Sequence, residues 1–163
     1  SKLFDDYEMG ITSSEEFRQQ LREAYGIEAT EAQIDEAWNA MLLDIPQERI
    51  ELLKELGSKY RIFLLSNTNS IHFKVVEEIF RQDHPEHTFL GLFDRVFLSH
   101  EMGLRKPDRK IYEKVVEEIG AKPEQCIFFD DLEENLNAAK EVGLQTHLID
   151  HPKALLEFFS YVQ

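Results

Sequence analysis

Apolar residues fall first at helical spacing and later in short unbroken runs separated by helical stripes. Ser13-Ser14-Glu15-Glu16 is a capping-box pattern, and Phe17, Leu21, Ala24 and Tyr25 follow it before Gly26 closes the segment. Thr30 with Gln33 repeats the start signal, ahead of a stripe at Ile34, Ala37, Trp38, Met41 and Leu42. Up to about residue 45 the chain reads as helices alone. Pro46 then suits the first turn of a helix carrying Ile50, Leu53 and Leu56 and stopping near Gly57. Residues 61–65 form an apolar run with turn chemistry behind it, which predicts a buried strand, and 71–80 has helical spacing at Val75, Val76, Ile79 and Phe80. A second strand is predicted over 95–98. Pro107 opens a helix with Ile111, Tyr112, Val115, Val116 and Ile119, closed by Gly120. A third strand over 126–129, a helix over 133–142 ending at Gly143, a fourth strand over 146–149 and a terminal helix over 152–159 complete the pattern. Three strand–helix–strand passages in succession predict an α/β fold, a parallel sheet with helices on both faces.

Composition narrows the function classes. The 163 residues suit one domain, or one domain with a small insertion, and 42% hydrophobic content with 12 Phe rules out a disordered acidic tail. With 18 basic against 32 acidic side chains the net charge is −14, the opposite of the basic footprint that sequence-independent nucleic-acid binding needs. The apolar runs at 62–65 and 126–129 are far too short to cross a bilayer. A single cysteine, Cys126, cannot form an internal disulfide, which points to a reducing, cytoplasmic setting. No nucleic acid and no membrane are expected as partners, and the sequence sets no oligomeric state.

In open parallel sheets ligands bind beyond the carboxyl ends of the strands. Ser66-Asn67-Thr68-Asn69 follows the first strand, and Ser99-His100-Glu101 follows the second, leading to Arg105-Lys106-Pro107-Asp108. Asp130-Asp131 follows the third, with Glu133, Glu134 and Asn135 close behind. Adjacent carboxylates repel, and a cation or a lysine would offset that cost; such oxygen ligands suit Mg²⁺. Acids also begin helices routinely, Ser66 and Asn67 could be an ordinary helix cap, and Lys106 alone could be a surface lysine. Taken together, a hydroxyl, a lysine and two acids from three strand ends have the makeup of a phosphate-and-magnesium site. His84-Pro85-Glu86-His87 has a spacing zinc could use, but no Cys partner or further paired His lies near it in sequence. Asp5-Asp6 follows no strand-like run and reads as surface, and neither a glycine-rich nucleotide fingerprint nor a serine nucleophile elbow is present.

Leu64-Leu65-Ser66-Asn67-Thr68, then Gly103-Leu104-Arg105-Lys106-Pro107-Asp108, then Phe128-Phe129-Asp130-Asp131 with Asn135 and Ala138-Ala139, resemble the haloacid dehalogenase-like hydrolase superfamily, with the three motifs in the expected order. The resemblance implies that residues 1–45 are most of a small helical cap and residues 46–163 a Rossmann-like core. It also implies roles. Ser66 would hydrogen-bond the phosphoryl group, helped by the Asn67 N–H. Lys106 would balance the charges of nucleophile and phosphate. Asp131 would bind Mg²⁺ directly, and Asp130 directly or through a water. The expected activity is that of a Mg²⁺-dependent phosphohydrolase acting on a small phosphorylated metabolite. A non-catalytic binding or interaction module and a metal-independent dehalogenase-like hydrolase are the alternatives.

One part of the pattern is missing. The family's nucleophile is an aspartate in Asp-x-Asp or Asp-x-Gly on a first, central strand preceding the cap, and nothing in this sequence matches it. The sequence therefore predicts two half-sheets lacking the strand between them, a longer parent protein, and no turnover of phosphate esters by residues 1–163 alone.

Overall fold

A computed structural model describes residues 1–42 and 45–161. Leu43 and Asp44, at the end of the expected 1–45 cap segment, lie outside the described residues, as do Val162 and Gln163. The chain divides into two compact units, Ser1–Gly103 and Leu104–Gln163.

The first unit begins with helices α1 (Lys2–Glu8), α2 (Ser14–Tyr25) and α3 (Glu31–Asn39). Both expected capping boxes form. The Ser13 hydroxyl accepts from the Glu16 N–H at 3.2 Å while the Ser13 N–H donates to the Glu16 carboxylate at 2.9 Å, and Thr30 and Gln33 repeat the exchange. These reciprocal bonds satisfy the donors that a helix start leaves unpaired. Helix α1 leaves no periodic mark in the sequence, because its seven residues make too few turns for a period to register. Asp5 and Asp6 sit on it, with Lys2 bonded to Asp6, so this acid pair lies on a helix. The core of the unit is aromatic. Phe17, fully buried, stacks on Tyr7 at 4.0 Å and meets Phe4 and Trp38 at 6.1 and 5.2 Å. Leu21, Ile34 and Ile71 close the cluster.

Helix α4 (Gln47–Gly57), strand β1 (Phe63–Ser66), helix α5 (Ser70–Asp83), strand β2 (Arg95–Leu98) and the short helix α6 (Ser99–Met102) follow. Strands β1 and β2 pair in parallel, from Phe63 opposite Arg95 to Ser66 opposite Leu98, with α5 as the crossover a parallel connection requires. The strand starts two residues later than expected. Before it, Asp94 holds Ile62 in place, its carboxylate accepting the Ile62 N–H at 2.6 Å and its own N–H donating to the Ile62 carbonyl at 2.8 Å.

The second unit contains helix α7 (Arg109–Ile119), strand β3 (Ile127–Asp130), helix α8 (Glu133–Val142), strand β4 (Gln145–Leu148) and helix α9 (Ala154–Tyr161). Helix α7 starts two residues beyond Pro107, because the Asp108 side chain caps it by accepting the Lys110 N–H at 2.9 Å. Its apolar face buries Ile111, Tyr112, Val115 and Val116. Strands β3 and β4 are parallel, Ile127 opposite Gln145 through Asp130 opposite Leu148, and α8 crosses between them. Phe129 packs edge-on against Phe158 of α9 at 5.1 Å. Cys126 falls just before β3, half-buried, its Sγ donating to the Lys122 carbonyl at 3.5 Å. Each unit thus holds a two-stranded parallel sheet with its crossover helix. No described helix is long and apolar enough to cross a membrane.

Candidate active site

In the first unit, Ser66 ends β1 and the turn 66–69 leads into α5. Ser66 and Asn67 are half-buried. Two buried polar side chains hold this turn. Asn69, 1% exposed, caps α5 by accepting the His72 N–H at 3.0 Å. The Ser99 hydroxyl, completely buried at the end of β2, donates to the Thr68 carbonyl and accepts the Thr68 N–H, both at 2.9 Å. One hydroxyl therefore satisfies both main-chain groups of Thr68 and fixes the peptide just beyond Ser66 and Asn67. In the sequence Ser99 is marked only as a serine directly after an apolar strand.

His100 follows. Burial holds its imidazole below the ordinary histidine range, against the opposing pull of Glu101 and the Thr68 backbone. Its carbonyl meets the 9–12 turn closely, since a Cβ added at Gly10 would lie 2.1 Å from the His100 oxygen, and Gly10 has φ +67°. Glycine is required there on both counts.

In the second unit the chemistry concentrates at the carboxyl end of β3. The Lys106 Nζ donates to Asp130 Oδ2 at 2.6 Å, with the side chains only 11% and 4% exposed. The ammonium also stands 5.5 Å from the centre of the Phe128 ring. Asp130 Oδ1 accepts from the Leu132 N–H and from Asn135 Nδ2, both at 2.9 Å. Burial pushes the Asp130 carboxyl up, but the bonds from Lys106, Asn135 and Leu132 outweigh it and hold the group below the usual carboxylate range. Asn135, 3% exposed, matters more than its place in the sequence suggested, because a buried amide is needed to complete the Asp130 shell. Tyr112, 1% exposed, meets Phe128 edge-on at 5.4 Å. Burial, with the charges of Asp130 and Glu134, raises its phenol far above the ordinary value.

The two acids therefore differ. Asp130 is built into the protein by three donors, while Asp131 is exposed. Among the described residues no three His, Cys, Asp or Glu side chains gather as a metal-holding set. The available donors are carboxylate oxygens, the chemistry of a hard divalent cation such as Mg²⁺, which takes one or two protein carboxylates and keeps several waters. The donor set fits. His87 lies instead beside α4, its ring contacting Lys54 Nζ at 2.5 Å and Glu86 at 3.4 Å, while His84 ends α5 and packs on Phe80 at 5.0 Å.

Comparison with known proteins assigns the lineage. A D-ribitol-5-phosphate phosphatase from Bacteroides thetaiotaomicron is 27% identical over 146 residues, covering 88% of this chain and 69% of its own length. A sesquiterpene phosphatase from Aspergillus oryzae is 28% identical over 159 residues, 96% of this chain and 78% of its own. A HAD family enzyme from Bacteroides thetaiotaomicron, solved in complex with magnesium and inorganic phosphate, superposes with a TM-score of 0.85 at 38% identity, over 93% of this chain and 75% of that one. Residues 7–143 match the model of one protein family over most of the chain, and the protein belongs to that family, the haloacid dehalogenase-like hydrolases.

Proposed function

We propose that this protein is the greater part of a Mg²⁺-dependent phosphomonoesterase acting on a small phosphorylated metabolite in the cytoplasm. In this reading residues 1–45 serve as most of the cap and 46–163 as the core. The observation that carries it is the Lys106–Asp130 pair, a nearly buried ammonium on a carboxylate at a strand end, in a chain whose relatives include phosphatases.

Each residue then has a physical task. The Ser66 hydroxyl and the Asn67 N–H bind phosphoryl oxygens, on a turn that Ser99 and Asn69 have already fixed, so little is lost in ordering it. Lys106 supplies positive charge, and its bond to Asp130 keeps the ammonium oriented. Asp131 would hold Mg²⁺, next to Asp130, whose two oxygens are already bonded to Lys106, Leu132 and Asn135. The bound ion would neutralise phosphate charge and orient the group for in-line attack. No carboxylate among residues 1–163 matches the family's nucleophile pattern. Residues 1–163 alone are therefore expected to bind phosphate and magnesium without hydrolysing esters, and turnover requires an aspartate supplied from outside them.

Calorimetric titration tests this. Inorganic phosphate should bind more tightly with Mg²⁺ present, and Asp131→Asn should abolish that enhancement while changing stability by less than about 0.5 kcal/mol, as for an exposed side chain. Phosphate binding that ignores both Mg²⁺ and Asp131→Asn would remove the metal assignment. On p-nitrophenyl phosphate, residues 1–163 should show no Mg²⁺-dependent turnover.

A further inference from the structure

Strand β3 turns alternate side chains to two different surroundings. Phe129 faces α9, packing on Phe158 and Phe159 at 5.1 and 5.6 Å. Phe128 and Asp130, two residues apart, share the opposite face. There the Lys106 ammonium reaches both, lying 2.6 Å from Asp130 Oδ2 and over the Phe128 ring, 5.5 Å from its centre. Tyr112, buried on α7, meets the same ring edge-on at 5.4 Å with the two planes at 74°. The Phe128 ring is thus backed by a buried aromatic neighbour and carries the ammonium beside it.

This contact does not follow from neighbouring positions on one strand. Among the described residues the other cations over rings, Arg61 over Phe63 and Arg95 over Phe97, stand two residues from their partners. Lys106 and Phe128 instead come from separate segments, the loop before α7 and strand β3, and meet only through the fold. The Lys106 side chain is 11% exposed, so its ammonium has lost most of its water. An aromatic face attracts a cation more strongly once water is removed. A β-branched aliphatic residue would suit the strand equally well and offer no such attraction. A hydrogen bond at the tip of lysine's flexible four-carbon stem still lets the stem pivot. A ring face on its flank narrows that freedom, which lowers the cost of ordering the charge when an anion arrives.

We propose that Phe128 is a positioning residue, whose ring face holds the Lys106 ammonium at the end of β3 ready for the phosphoryl group. This rests on the phosphomonoesterase reading, in which Lys106 supplies positive charge to phosphate, and it adds the aromatic wall that fixes where that charge stands.

The test replaces Phe128, in the full chain, by its mono- and trifluorinated analogues, which keep the shape of the ring and progressively weaken its negative face. Calorimetry reads the affinity for inorganic phosphate with Mg²⁺, and NMR reads the Lys106 methylene protons next to the ammonium. Affinity should fall stepwise with fluorination, and on the order of fivefold in Phe128→Leu, the scale of one cation–π contact. In the unaltered protein the ring current should displace the Lys106 protons, and Phe128→Leu should return them towards their unfolded positions. Phe129→Leu, on the other face of the same strand, should lower stability and leave both readouts in place. Phosphate affinity that ignores fluorination overturns the proposal. So do undisplaced Lys106 protons in the unaltered protein, or a Phe129→Leu protein that loses as much affinity as Phe128→Leu. If the unaltered protein shows displaced Lys106 protons but binds no phosphate, the phosphomonoesterase reading is what has failed, and the positioning role falls with it.

Discussion

Removing the ammonium from the Lys106–Asp130 pair perturbs the second unit most informatively. Lys106→Met keeps an unbranched stem beside Phe128 and deletes the charge. Asp130 retains the Leu132 N–H and Asn135, so the loss should fall at the low end of the range for orphaning one member of a buried pair, about 3 kcal/mol. For a chain of this size that corresponds to a midpoint lower by about 6–12 °C. The dependence on pH supplies a sharper sign. In the unaltered protein the Asp130 pKa is depressed on folding, so its contribution is fully present above the ordinary value of 3.8 and is lost only as pH falls through the lower folded value. In Lys106→Met the upward push of burial remains and the strongest opposing bond is gone. Asp130 then titrates higher when folded than when unfolded, and its penalty is full at neutral pH and relieved as pH falls. The stability gap between the two proteins should therefore narrow from about pH 7 to about pH 4. Urea unfolding across that window reads it directly. A gap under about 0.5 kcal/mol at neutral pH, the scale of an exposed ion pair, or one that does not change with pH, would refute the argument.

Other expectations concern the first unit. Ser99→Ala strips Thr68 of partners for both its N–H and its carbonyl; a stability loss of about 2 kcal/mol is expected, together with weaker binding of inorganic phosphate, measured by unfolding and calorimetry. Phosphate affinity unchanged in that variant would show that the turn does not need its clamp. Gly10→Ala forces a side chain onto the His100 carbonyl at positive φ, and should cost about 2–3 kcal/mol in thermal unfolding. A neutral result there would mean that the 9–12 turn moves aside easily.

Much of this was legible in the amino-acid order, for identifiable reasons. Both capping boxes, two of the three strand–helix–strand passages and the helix endings at Gly26, Gly57, Gly120 and Gly143 are local signals, and they reappear with their bonds or with boundaries shifted by a residue or two. Lys106 and Asp130 follow separate strand ends in the sequence and meet in the fold. What stayed hidden depends on long-range burial. Nothing local distinguishes Asp130 from Asp131; only the arrival of Lys106 and Asn135 makes one an internal, bonded group and leaves the other to solvent. Ser99 likewise becomes a clamp only because β2 lies beside β1.

The hydroxyls of Tyr7, Ser14 and Ser70 form a closed ring of contacts at 2.9, 3.3 and 2.9 Å, joining α1, α2 and the first residue of α5. Ser70 is one peptide away from Asn69, which terminates the turn after Ser66. The N-terminal helices and that turn are thus geared to one another. A tilt of α1 or α2 that preserves the ring must carry the start of α5 with it, and so displace the end of the 66–69 turn.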